Sequence, residues 1–155
     1  MGVGGGPGRM GENQGMFVVL DTNHYDELTN DSLIGRNVQR RIEATRADVF
    51  ISIISVQESA QGWLSLINRH KPGREQVYPY ARFQQSIETL IKLPILPFDE
   101  AAARVFDNVR RQRLRVGTMD LKIAAICLAH DAVLLTRNLA DFEKVPGLQA
   151  ENWLD

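Results

Sequence analysis

The chain predicts an α/β fold, with helices covering both faces of a central, mostly parallel sheet. Three observations carry this expectation. Residues 16–20, 49–54 and 132–136 are short, largely apolar runs without polar alternation, as expected of strands buried on both faces. Between them lie longer segments whose apolar residues recur at helical spacing. Strand and helix signals alternate, which requires crossover connections, and these are right-handed in a parallel sheet.

Taken in order, the run 16–20 (MFVVL) reads as the first strand. Residues 34–47 are polar, with Val38 and Ile42 four apart on one helical face. The β-branched run 49–54 reads as a second strand. Residues 55–70 carry Val56, Ala60, Trp63, Leu64 and Ile67 at helical spacing, and Pro72-Gly73 breaks that helix. A further helix over 75–93 puts Phe83, Ile87, Leu90 and Ile91 on one stripe. Two prolines limit 93–98 to a short or edge strand. Asp99 stands where an N-cap belongs, before a helix over 100–114. Thr118 reads as the next N-cap, opening a helix over 119–130 that is apolar almost all round. The run 132–136 is the third buried strand, and 148–153 a last edge strand.

Composition narrows the class. Of 155 residues, 44% are hydrophobic and 24% charged, the balance of a globular domain rather than a disordered chain. Net charge of −1 excludes a globally basic nucleic-acid binder and leaves room only for a local basic face. No apolar run approaches the ~20 residues of a membrane span. The single cysteine, Cys127, excludes an intramolecular disulfide and a multi-cysteine zinc site, and reads as a reducing cytoplasmic compartment. Seven of the twelve glycines precede Met16, so residues 1–15 are expected to form a disordered tail. That tail lacks the apolar core of a signal peptide. Met16 is the more natural beginning, and 16–155 are expected to form a single domain.

The informative feature is where the acids fall. Asp21 follows the first strand directly, Glu58 comes four residues after the second, and Asp141 five after the third. Loops at the carboxyl ends of parallel strands line the ligand crevice, so these acids belong on one rim. Asp120, at the start of the apolar helix, can point to the same place, and Asn138 lies on the third rim loop. Each acid alone has a structural explanation. Asp21 suits a turn or cap, Ser55-Val56-Gln57-Glu58 matches a capping box, and Asp120 and Asp141 are favoured by helix dipoles. Together, carboxylates on one rim repel, and a divalent cation removes that conflict. Oxygen-only donors favour Mg²⁺ or Mn²⁺ over zinc, and such an ion suits phosphodiester hydrolysis.

Four segments make the pattern specific: Val18-Val19-Leu20-Asp21-Thr22-Asn23, Ser55-Val56-Gln57-Glu58, the run 117–125 (GTMDLKIAA), and the run 135–142 (LTRNLADF). In this order, with Val145-Pro146-Gly147-Leu148 and Glu151-Asn152-Trp153 behind them, the chain resembles the PIN-domain ribonucleases, specifically the VapC-type toxins of bacterial toxin–antitoxin pairs. The resemblance implies a three-layer α/β/α fold and Mg²⁺- or Mn²⁺-dependent endonucleolytic cleavage of RNA. It implies Asp21, Glu58 and Asp120 as metal-binding acids, with Asp141 as a further catalytic acid and metal ligand. Asn138 stands where many members carry Asp, and can still offer a carbonyl ligand or hold a metal-bound water. Thr136 and Asn23 match supporting positions, Asn23 orienting Asp21. The resemblance also implies a cognate antitoxin and a homodimer.

RNA must meet positive charge, and Arg110, Arg111 and Arg137 are the candidate contacts, although the same arginines read equally as solvated helix ends. His24, beside the first motif, reads as a turn histidine rather than a general base. Trp63, Leu64 and Phe83 serve equally as core or as partner surface. The departure at Asn138 motivates one alternative, a catalytically weak PIN-fold RNA-binding or scaffold module. A phosphoryl-transfer enzyme with an aspartyl nucleophile ranks last, because Asn23 stands where such sites place a second acid.

Overall fold

Strand alternation decides which side chains meet which layer. In the computed structural model, which describes residues 15–155, the first strand β1 is Phe17–Leu20. Val18 and Leu20 point to one face and Val19 to the other, and all three are fully buried. The expected tail lies, apart from Gly15, outside the described residues.

After β1 come α1 (Thr22–Thr29), α2 (Leu33–Thr45), β2 (Asp48–Ser52), α3 (Ile53–Asn68), a short 3-10 turn, and α4 (Val77–Leu90). Then follow β3 (Ile95–Leu96), α5 (Glu100–Arg110), α6 (Thr118–Ala129), β4 (Val133–Leu135), α7 (Leu139–Phe142) and β5 (Gln149–Glu151). The five strands are all parallel, in the order β3-β2-β1-β4-β5. The two weakest strand signals, 93–98 and 148–153, form the two edges, as their prolines and polarity require.

Two cores flank the sheet. On one side Val19 and Leu134 pack with Ala102, Phe106 and Val109 of α5, the buried length of α6, and Phe142 of α7. On the other side Val18, Leu20, Val133 and Leu135 pack with Tyr25 of α1, Val38 and Ile42 of α2, and Leu90 of α4. The expected sheet covered on both faces is therefore present. Each fully buried Val, Leu or Phe in it contributes roughly 1.5–3 kcal/mol. Helix α6 is apolar all round because it is enclosed: Leu121, Ile123, Ala124, Ala125, Ile126 and Cys127 are all buried.

Several local expectations are corrected. Helix α1 is additional to the predicted set. Its eight residues are mostly polar and bury only the adjacent His24 and Tyr25, so no helical period is visible in the sequence. β2 stops at Ser52, whose hydroxyl accepts a hydrogen bond from the Ser55 N–H at 3.1 Å and so caps α3. The β-branched Ile53 and Ile54 therefore enter a helix, because the cap outweighs their strand propensity. Gly117, not Thr118, is the N-cap of α6. Ile91 lies beyond the end of α4 and is 61% exposed, off the buried stripe. Asp99 does cap α5, accepting from the Ala102 N–H at 3.0 Å.

Helix α2 crosses the end of α1 at Gly35, where an added Cβ would clash with the Glu27 carbonyl oxygen. Backbone cannot yield as a flexible side chain does. Gly35→Ala is expected to destabilise the fold by roughly 1–3 kcal/mol, although alanine is the better helix former. Chemical denaturation would check this, and an unchanged midpoint would contradict it.

Candidate functional site

The strand order reverses around β1, since β2 and β3 lie to one side and β4 and β5 to the other. A crevice opens at the carboxyl ends of the strands where connections depart in opposite directions. Asp21 and Thr136 sit at this point. The Asp21 N–H donates to the Leu135 carbonyl at 2.9 Å, tying the end of β1 to the end of β4.

Both oxygens of Asp21 are held. Oδ1 accepts from the Thr22 N–H at 2.9 Å, which makes Asp21 the N-cap of α1. Oδ2 accepts from the Thr136 hydroxyl at 2.9 Å. Thr136 is fully buried, and its Oγ1 also accepts from the Asn138 N–H at 3.0 Å. One hydroxyl therefore positions both the acid on β1 and the loop after β4. Asn23 is exposed on α1 and has no hydrogen bond to Asp21 among the described residues, so the orienting contacts are those of Thr22 and Thr136. Thr136→Val leaves the Asn138 N–H without its acceptor and Asp21 without its donor. An expected loss of about 1–3 kcal/mol, largely restored by Thr136→Ser, would appear as a lowered Tm.

Glu58 lies in the second turn of α3. The capping-box reading of Ser55-Val56-Gln57-Glu58 is corrected, because Ser52 caps this helix and leaves Glu58 without a capping duty. Its pKa is raised, first by burial and then by the charges of Asp21 and Asp120. Asp120, in the first turn of α6, is likewise raised by burial and by Asp21 and Asp141. The charge of Asp21 thus reaches both Glu58 and Asp120, and that of Asp141 reaches Asp120. Cys127 lies deep beneath it, its thiol pushed up to about 12 by burial and by Asp21.

Asp141 differs from the other acids. Its Oδ2 accepts from the Asn138 amide at 3.0 Å and its Oδ1 from Lys144 Nζ at 3.1 Å, and these contacts lower its pKa. Lys144 also donates to the Arg115 carbonyl at 3.1 Å. Lys144 is a contributor that the sequence reading passed over, although its i,i+3 spacing from Asp141 signals the pair. Among the described residues no three acid, His or Cys side chains converge at metal-coordinating distance. The donor chemistry nonetheless fits a hard divalent cation. Every candidate ligand is an oxygen, and the half-buried Glu58 and Asp120 carry an uncompensated repulsion that such a cation would relieve.

The candidate arginines are spread out. Arg110 and Arg111 are exposed at the end of α5, with Arg110 lying 6.0 Å from the Phe106 ring centroid. Arg137 is exposed, with its Nε 3.8 Å from Asp155. His24 is not in a turn but fully buried within α1, where its Nε2 accepts from the Trp153 N–H at 3.0 Å. Its pKa is lowered to about 4 by burial, then by Arg137, with Asp155 opposing. A ring engaged in this way is unavailable as a general base. Leu64 is 47% exposed, while Trp63 and Phe83 are partly buried, so all three lie at the surface rather than in the core.

The PIN domain family matches residues 18–148. Toxin FitB of Neisseria gonorrhoeae is 30% identical over 81% of this chain and 91% of its own length. Ribonuclease VapC1 of Rickettsia felis is 39% identical over 36% of this chain and 44% of its own length. Among solved structures, VapBC2 from Rickettsia felis bound to a promoter DNA fragment matches with a TM-score of 0.67 at 22% identity, covering 89% of this chain and 99% of that one.

Proposed function

The chain belongs to the PIN domain family, and from that premise we propose that it is a divalent-metal-dependent endoribonuclease, the toxin of a toxin–antitoxin pair. The observation that carries this is the placement of Asp21 at the end of β1, held by the Thr136 hydroxyl at the end of β4, where its charge reaches both Glu58 and Asp120. Relatives named ribonuclease and tRNA(fMet)-specific endonuclease support the reaction class and weigh against a catalytically weak scaffold. The matched structures include toxin–antitoxin complexes, which supports a cognate antitoxin as partner. No helix of the described residues is long and apolar enough to cross a membrane. An RNA substrate and a reducing compartment for the lone Cys127 support a cytoplasmic location.

Asp21, Glu58 and Asp120 would hold Mg²⁺ or Mn²⁺ through carboxylate oxygens, with Asp141 and Asn138 at the far side of the site. The bound ion supplies charge neutralisation and an activated water for phosphodiester hydrolysis. Thr136 keeps Asp21 in place, and Lys144 and Asn138 hold the Asp141 carboxylate by hydrogen bonds. Arg110, Arg111 and Arg137 are the cations proposed to meet the phosphates.

Purified protein is expected to cleave RNA with Mn²⁺ or Mg²⁺ and to lose that activity on chelation. Adding Mn²⁺ to the metal-free protein should also raise its Tm, because only the folded state gathers the acids. Cleavage that persists in excess chelator would refute the metal assignment.

A further inference from the structure

The site continues into a cavity of about 380 Å³ between α1, α3 and α4, to which Thr22 and Glu58 both contribute. We propose, resting on the nuclease reading, that this cavity is a subsite for one nucleobase of the RNA, unstacked beside the scissile bond, and that it selects bases bearing an exocyclic amino group. Its size lies in the range of small-ligand pockets. Its walls are mostly apolar, with Tyr25, Leu66 and Leu90 among them.

Trp63 borders this cavity and also a neighbouring one of about 250 Å³ that Arg82 lines. The Arg82 guanidinium lies 5.9 Å from the indole centroid. An aromatic surface beside a cation is the usual platform for an unstacked base. Asp26 lines both cavities, and the hydroxyls of Ser59 and Ser86 meet at 3.4 Å on the wall of the larger one. A carboxylate there repels phosphate and accepts N–H groups. The occupant that suits these walls is flat, apolar-faced and an N–H donor. Adenine, cytosine and guanine each present an exocyclic amino group with two N–H donors, whereas uracil offers only its single ring N3–H.

Gly62 supplies an independent argument. It sits in the interior of α3, where glycine weakens a helix. It also lines the cavity, and a Cβ added to it would find no protein atom within 4 Å. Nothing in the fold requires glycine at this position. Gly62 is exposed, and the open space over it leaves room for a ring that a larger side chain would fill.

The test reads the indole N–H signal of Trp63 by NMR while the four ribonucleoside monophosphates are added, with ribose 5-phosphate as the probe that lacks a base. The buried Trp153 indole is the internal control. AMP, CMP or GMP should shift Trp63 saturably and more tightly than UMP, with ribose 5-phosphate and Trp153 silent. Gly62→Leu should keep or raise the Tm, weaken nucleotide binding about tenfold or more, and flatten the base preference in cleavage of short RNAs. An RNA-cleaving protein whose Trp63 signal no nucleotide moves would overturn the subsite, as would unchanged base preference in Gly62→Leu. The cavity would then belong to a polypeptide partner. Trp63 shifts in a protein that cleaves no RNA would overturn the nuclease reading and leave the base subsite standing.

Discussion

If Asp21 holds the metal as proposed, Asp21→Asn is expected to reduce RNA cleavage by at least about a hundredfold, since losing a direct ligand costs more than losing a supporting contact. A second consequence needs no substrate. Asp21 is among the charges that raise both Glu58 and Asp120. Removing it should lower both pKa values in the metal-free protein, which carboxyl-resolved NMR titration would detect. Glu58→Gln should likewise reduce cleavage, and should also abolish part of the Tm rise on adding Mn²⁺. The two readouts separate the causes. Full activity in Asp21→Asn would refute the catalytic assignment, and unmoved titrations at Glu58 and Asp120 would refute the shared electrostatic site.

The largest expected effect on stability lies at His24, away from the proposed chemistry. The folded pKa of about 4 lies well below the unfolded value of 6.5. As pH falls through 6.5, the unfolded chain takes up a proton that the folded chain refuses until about pH 4. Stability contributed by neutral His24 is therefore complete above pH 6.5 and is lost progressively on acidification, by about 3 kcal/mol in all. Glu58 and Asp120 act in the opposite sense. Their raised values mean that the folded state binds protons more readily than the unfolded one, so acidification through the carboxylate range relieves their repulsion. Between pH 6.5 and 5 the histidine contribution falls as the unfolded chain takes up its proton. His24→Gln offers an amide oxygen to the Trp153 N–H and cannot titrate, so it should flatten the pH dependence of the denaturation midpoint across that interval. An equally steep dependence in the variant would assign it to other groups.

The cost at His24 has a structural origin. With Nε2 accepting, the neutral ring carries its proton on Nδ1, and that atom and Trp153 Nε1 are buried donors without partners among the described residues. Two such donors reduce stability, and the apolar packing of Trp153 and Leu154 against Tyr25 and Val18 offsets them. The closing segment of the chain is thus anchored on the first helix. The sequence carried little sign of this, because His24 and Trp153 are 129 positions apart.

How much could be read in advance differs by element. The three central strands were evident because burial on both faces demands uninterrupted apolar residues, and α6 was evident for the same reason. Helix α1 was not, since a helix fixed by two adjacent contacts and a cap has no period to detect. The boundary between β2 and α3 was misread because isoleucine favours strands, whereas the Ser52 hydroxyl decides where the turn begins. For the site, the acids and their order were legible one by one. The Lys144 contact with Asp141 was legible in its i,i+3 spacing, whereas the hydroxyl of Thr136 that reaches Asp21 across 115 positions was not.

The amino-acid sequence by itself determined the parallel α/β sheet and put acids just beyond its strands, because hydrophobic burial and strand direction are local consequences of residue type and order. Which of those acids come near enough to raise one another, and that a cavity walled by Trp63 and Gly62 opens beside Glu58, were settled by the packing of the whole chain. Charge coupling and empty space depend on distances between segments far apart in the chain, and those distances exist only once the sheet has closed and the helices have packed.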